Sequence, residues 1–234
     1  MTTPIIIACC IVIPLALLGI PLIYSKQTKK RKNWEEYRAQ INETLADEGL
    51  EYTGKTPTRH ILWIIVEEIG EKKFKSLVKR QLDGLRLAPF YGCYLVRPSK
   101  ALKFYEKPER ETCLEDLTEW VGATVVDFPG KTACCGFPIV TINEKASLKM
   151  VGNHTSTAKD LGADAMVTPC PLCHLNLDQY QDRAAGMMKR KIDLPIIHVP
   201  QLVGLALGLD PEELKINKHV ISTKKLLTEI SLKP

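Results

Sequence analysis

The chain has 234 residues, 45% hydrophobic and 25% charged, the balance of an ordinary globular protein with length for one full core and an accessory segment. The formal net charge is +5, part of it concentrated between Lys26 and Lys32, and no basic stripe interleaved with aromatics runs through the body, which argues against a nucleic-acid surface. The eight cysteines are too unevenly spread, in too long a chain, for a secreted disulfide framework.

The run "PIIIACCIVIPLALLGIPLIY", Pro4 to Tyr24, carries no charge and is followed by "SKQTKKRK". Its length suits a bilayer-crossing helix. The charge trails the apolar run, which is the order of a membrane span with the body on the cytoplasmic side and the reverse of a secretory signal. Pro14 and Pro21 are tolerable in a span, and Cys9 and Cys10 read as small apolar fillers. Residues 1–24 are thus expected to be an apolar anchoring segment, with the span over residues 4–24, and residues 25–84 a basic flank and helical arm. Residues 85–234 form the cysteine-rich domain.

From Asn33 to Leu50 the residues Trp34, Tyr37, Ile41 and Leu45 recur at helical spacing. "TGKTPT" breaks the chain, and "RHILWIIVEEIG" reads as a second helix ending at Gly70, with His60 and Trp63 as packing residues. Beyond Gly84 short apolar runs alternate with helical stretches, the texture of βαβ units. "LRLAPFYG" is the first strand, Pro89 marking a strand end or an edge. A helix near "TCLEDLTEWVG" carries a Thr112/Glu115 capping box and turns Cys113, Leu117, Trp120 and Val121 to one face, so Cys113 is assigned to the core. "TVVDF" is the second strand. A helix from Glu144 to Leu161 follows, with Met150, Val151, His154 and Ala158 on its inner side and His154 packed or hydrogen-bonded there. "DAMVT" and "PIIHV" are the third and fourth strands, the latter leading into "PQLVGLALG". The predicted fold is α/β: a mostly parallel sheet of about four strands built from βαβ units, with an N-terminal helical arm.

Cys93 then follows strand one, Cys134 and Cys135 lie in the loop after strand two, and Cys170 and Cys173 follow strand three. In a parallel sheet these are all carboxyl ends, which gather at one rim where open α/β folds place ligands. The C-x-x-C pair alone allows a redox dithiol, half a zinc site or part of an iron–sulfur site. Zinc is saturated by four ligands, leaving a fifth thiolate over, and adjacent cysteines point apart, each suited to a different metal atom. A redox dithiol gives no role to Cys93, Cys134 or Cys135. A polynuclear cluster therefore fits the set better than a single ion, with zinc as the alternative. Arg97 and Lys131, near the cysteines, could face an anionic coenzyme but read more simply as surface charges.

With "YGCYLVRP", "KTACCGFP" and "TPCPLCHLNLDQYQ" in order, the chain from about Asn33 onward resembles the B-subunit family of heterodisulfide reductase, which is built on the cysteine-rich CCG domain. The resemblance implies that Cys93, Cys134, Cys135, Cys170 and Cys173 hold a non-cubane [4Fe-4S] cluster. It also implies an oxidoreductase component that reduces a small-molecule disulfide of the coenzyme M/coenzyme B type, as in methanogenesis. The implied partners are the iron–sulfur C-subunit and the flavin-containing A-subunit of such a complex, or a second CCG domain. That family carries two CCG domains in tandem, and this chain resembles only the inter-domain helices and the second domain. The competing reading is a membrane-tethered assembly module holding structural zinc or an inert cluster, without redox turnover.

Overall fold

The computed structural model describes residues 34–55 and 58–231. The expected span over residues 4–24 and the basic flank behind it lie outside the described residues. Among those described, no helix is long and apolar enough to cross a membrane. The chain divides into two compact units, one up to Thr58 and the other from Arg59 onward.

In the first unit, helix α1 (Trp34–Leu45) runs into a short 3-10 turn, Ala46–Glu48. The chain then folds back on the helix. The Asn42 side chain grips both backbone polar groups of Tyr52, accepting from its N–H at 2.7 Å and donating to its carbonyl at 3.2 Å. Trp34 meets the Tyr52 ring edge to face. No residue of α1 is fully buried, so the helical spacing found in the sequence marks a face that stays partly exposed.

The second unit opens with α2 (Ile61–Trp63), capped by His60, whose Nδ1 accepts from the Leu62 N–H at 3.2 Å. A π-helical stretch, Ile64–Ile69, and α3 (Gly70–Leu77) continue it. The expected stop at Gly70 is instead the start of another helix, which the buried Phe74 holds to the body. Glu67, in the π stretch, is clasped by Arg110 Nε and Lys107 Nζ, each at 2.5 Å. Arg110 also lies 3.8 Å over the Trp63 ring.

Strands β1 (Arg86–Pro89), β2 (Thr124–Val125), β3 (Ala165–Thr168) and β4 (Ile196–His198) form one parallel sheet in the order β2-β1-β3-β4. Pro89 ends a central strand rather than an edge, and the ladder resumes one residue later where Phe90 N–H donates to Val167 O at 2.8 Å. Alternate residues serve two cores, because both faces of a parallel sheet are covered. Leu87, Val167 and Ile197 join one apolar cluster; Ala88, Met166 and Ile196 join the other. The connecting helices are α4 (Ser99–Leu102), α5 (Cys113–Trp120), α6 (Glu144–Asp160), α7 (Pro171–Gln179), α8 (Gln181–Met188), α9 (Val199–Ala206) and α10 (Lys224–Ser231).

The expected α/β fold with a parallel sheet is present, and Cys113 is fully buried on the inner face of α5 with Leu117 and Val121. The Thr112/Glu115 capping box does not form. Thr112 Oγ1 donates to Asp116 at 3.0 Å, while Glu115 turns inward to accept from the Tyr91 hydroxyl. The partnered phenol outcompetes the orphan N–H for this carboxylate. Asn143 caps α6, its Oδ1 accepting from Ala146 N–H at 3.1 Å.

Candidate functional site

In this strand order the chain leaves β1 toward β2 on one side and returns as β3 on the other. The crevice beyond the carboxyl ends of β1 and β3 is thus the topological switch point, where open α/β sheets bind ligands. Three segments meet there.

The first is the β1 exit, Phe90 to Cys93. Gly92 stands at φ +69°, and a Cβ on it would lie 2.6 Å from the Cys173 Sγ. Only glycine allows the two strand exits to come this close. The second segment is the loop after β2. It is tied to the first by Lys131, whose carbonyl accepts from Tyr91 N–H at 2.8 Å and from Gly92 N–H at 3.3 Å. The Lys131 ammonium pairs with Glu115 at 2.9 Å and Asp127 at 2.7 Å, and Arg97 donates to the Thr132 carbonyl at 3.2 Å. Both cations therefore have protein partners at this rim.

Two side chains fix the adjacent cysteines through their carbonyls. His154 Nε2 lies 3.0 Å from Cys134 O, and Asn176 Nδ2 donates to Cys135 O at 2.8 Å. Gly136 follows at φ +96°, where a Cβ would press on Ser147 at 2.8 Å; its N–H donates to Cys134 Sγ at 3.4 Å. The third segment is the start of α7, with Cys170 as N-cap, Pro171 at the first helical position and Cys173 in the first turn.

All five cysteines of the expected set reach this rim. Cys93, Cys134 and Cys170 are half-buried; Cys135 and Cys173 are buried. Their acidities show how close they are. Burial pushes the Cys93 thiol up to about 11, helped by Cys134 and Cys135. The Cys173 thiol bonds to Cys135 and to Cys170 and is held protonated by both. Cys170 falls to about 6, first through the bond from Cys173 and then through the helix N–H groups of Cys173 and Leu172. Cys135 is lowered chiefly by the bond from Cys173. The Tyr94 phenol, raised by burial, also feels Cys93, Cys134, Cys170 and Cys135.

Such crowding is unfavourable for five thiolates alone, since like charges suppress one another's ionisation. Bound metal cations invert that logic and hold coordinating thiols deprotonated. The donor set is all sulfur, in a glycine-lined crevice, and suits a thiophilic metal or an iron–sulfur cluster.

Residues 87–178 match the family described as the CCG cysteine-rich domain. That segment is a CCG domain. Over 187 residues it is 41% identical to the 8-methylmenaquinol:fumarate reductase membrane anchor subunit of Wolinella succinogenes, covering 80% of this chain and 65% of that protein. It is 35% identical over 201 residues to the B-subunit of a ferredoxin/F(420)H(2)-dependent CoB-CoM heterodisulfide reductase from Methanosarcina acetivorans, covering 85% and 66%. The CCG chain thus spans about two thirds of the length of these curated relatives. A hypothetical protein from Helicobacter pylori, known from a crystal structure, shares the fold at a TM-score of 0.62 and 16% identity, over 88% of this chain and 36% of that one.

Within the CCG domain, sequence reasoning missed Asn176; the hydrogen bond expected of His154 is made, with the Cys134 carbonyl as its partner. Asn176 stands three residues after Cys173 on the same helix and is fully buried. A polar residue at that spacing from a cysteine was the available signal.

Proposed function

We infer that this chain is the cluster-bearing component of an oxidoreductase complex, with Cys93, Cys134, Cys135, Cys170 and Cys173 as ligands of a non-cubane [4Fe-4S] cluster. The observation that carries the reading is the convergence of five thiols from three strand exits on one switch-point crevice. A tetrahedral zinc site uses four of them at most.

When bound, such a cluster would supply one-electron transfer to a sulfur-containing substrate. The chain's own residues hold the site. Asn176 and His154 fix the two carbonyls of the adjacent pair, and the two thiols reach different partners, Cys134 bonding to Cys93 and Cys135 to Cys173. Gly92 keeps the β1 exit against Cys173 without a side chain between them. Tyr94, 45% exposed, stands beside Cys93 and near Cys134, Cys170 and Cys135.

The substrate we favour is a small-molecule disulfide of the coenzyme M/coenzyme B type. Its cleavage consumes two electrons and two protons and yields two thiols. The support is the heterodisulfide reductase relative; by the same resemblance the partners are separate iron–sulfur and flavin proteins of the complex, or a second CCG domain. The fumarate reductase relative supports a second reading, in which the same site relays electrons drawn from a membrane quinol.

The test uses the anaerobically purified chain with reduced viologen as donor and the coenzyme heterodisulfide as acceptor, with and without a second CCG-domain chain. The first reading expects negligible thiol release alone and sustained release with the second domain. Absence of thiol release in both, with viologen oxidised by a quinone analogue, selects the second reading. Rapid release by the single chain overturns the need for two domains.

A further inference from the structure

The chain has five histidines, and His60, His174 and His198 all lie about the β3–α7 connection. His198 Nε2 is 3.3 Å from Pro169 O, and the His60 ring also bonds to the Pro169 carbonyl. The His174 ring stacks on His198 at 5.9 Å and meets His219 at 4.6 Å. His174 and Asp178 stand four residues apart on one face of α7. His219 comes from the segment after α9 and is brought to them by Asp178 itself, whose carboxylate accepts from Val220 N–H at 2.7 Å and Ile221 N–H at 3.1 Å.

One ligand atom from each of His174, Asp178 and His219 lies within 4.8 Å of the other two. The independent observation is that His174 Nε2 is buried with no hydrogen-bond partner and that His219 Nδ1, also buried, makes no close bond and has only the Ile196 backbone beside it. A buried ring nitrogen left unpaired is costly, and one unpaired and one poorly paired in the same place point to a shared ligand. We propose that His174, Asp178 and His219 form a second, thiol-free metal site that takes a divalent transition cation of imidazole preference, zinc first, with its fourth position open to water.

The surroundings supply the outer support such sites use. A backbone bond to Ile196 orients the His174 ring, and two backbone N–H groups orient the Asp178 carboxylate. Zinc needs ligand atoms closer together than 4.8 Å, so the rings must turn inward on binding. Gln201 Nε2 now donates to His219 Nε2 at 2.9 Å, which leaves the ring proton on Nδ1. Metal at Nδ1 moves that proton to Nε2 and displaces the Gln201 amide, whose oxygen stays on His198 N–H at 3.0 Å and whose nitrogen keeps Leu214 O at 3.1 Å, a tautomer change that can be observed directly. The site would clip the segment carrying His219 to the helix that carries Cys170 and Cys173. It does not depend on what the cysteines hold.

The experiment compares the full-length chain with its His219→Gln variant, using Zn2+ alone as probe against a competing chelator. Each is titrated both as purified and with the iron–sulfur cluster assembled. The proposal expects the unsubstituted chain to hold one zinc per chain more than the variant in both preparations, with affinity at that site falling on the order of 100-fold or more in the variant, beyond the loss typical of an outer-shell partner. Co2+ bound there should show ligand-field bands without thiolate charge transfer. Nitrogen-15 spectra of the unsubstituted chain should show the His219 proton moving from Nδ1 to Nε2 on zinc addition, a readout that holds even if the variant fails to fold. Equal zinc content in both chains, cobalt on thiolates only, or an unchanged His219 tautomer overturns the site and leaves a water between the rings.

Discussion

Gly92→Ala is the sharpest probe of the crevice geometry, because its cost divides into two parts. The φ of +69° charges any L-residue about 1–2 kcal/mol. The new Cβ would also stand 2.6 Å from Cys173 Sγ, and Cys173 is 3% exposed on the first turn of a packed helix, with no room to retreat. Overpacking of this kind costs roughly 1–3 kcal/mol, so the total is about 2–5 kcal/mol. The assay is urea unfolding of the metal-free, reduced chain with the slope held constant. In a cycle with Cys173→Ala, removing the sulfur should return roughly 1–3 kcal/mol of the Gly92→Ala cost as coupling. If Gly92→Ala costs no more than the backbone part of about 1–2 kcal/mol, or adds simply to Cys173→Ala, the two strand exits are not as close as argued.

Further outcomes follow from single contacts. Asn176→Ala leaves the Cys135 carbonyl without its donor and should cost about 1–3 kcal/mol in the same unfolding assay; an unchanged midpoint contradicts the positioning role. Burial opposes the Glu67 carboxylate, but its bonds to Arg110 and Lys107 outweigh that, and its pKa is held below 4.5. Its contribution to stability is therefore complete above 4.5 and lost as pH falls through the lowered folded value. Glu67→Gln should flatten the stability profile in that acid range, and an unaltered acid slope would refute the pairing. Serine at Cys93, Cys134, Cys135, Cys170 or Cys173 should lose or alter bound iron as measured by metal analysis, whereas Cys113→Ser should keep the full iron content. Loss of iron in Cys113→Ser alone would reverse the assignment.

The sheet was legible because its strands are short apolar runs followed by helical patterns, and the parallel connection then sends every strand exit to one rim. That is why Cys93, Cys134, Cys135, Cys170 and Cys173 group together on sequence alone. Gly70 was misread because a glycine at the end of an apolar pattern signals a stop, while Phe74, one apolar residue among lysines, carries little periodic signal. Glu115 matched a capping pattern, yet the nearby Tyr91 hydroxyl, 24 residues away in sequence, claimed it; no local rule contains that contact. Asn176 and the gathering of His174, Asp178 and His219 depend on long-range packing in the same way. His219 reaches α7 only through the Asp178 bonds to Val220 and Ile221.

The central claim is tested most directly by quantifying iron, acid-labile sulfide and zinc together in the full-length chain purified without oxygen. The account predicts iron and sulfide in equal amounts, at one [4Fe-4S] unit per chain, both lost in Cys135→Ser. Zinc bound through cysteine thiolates, with no sulfide and no iron, would contradict it.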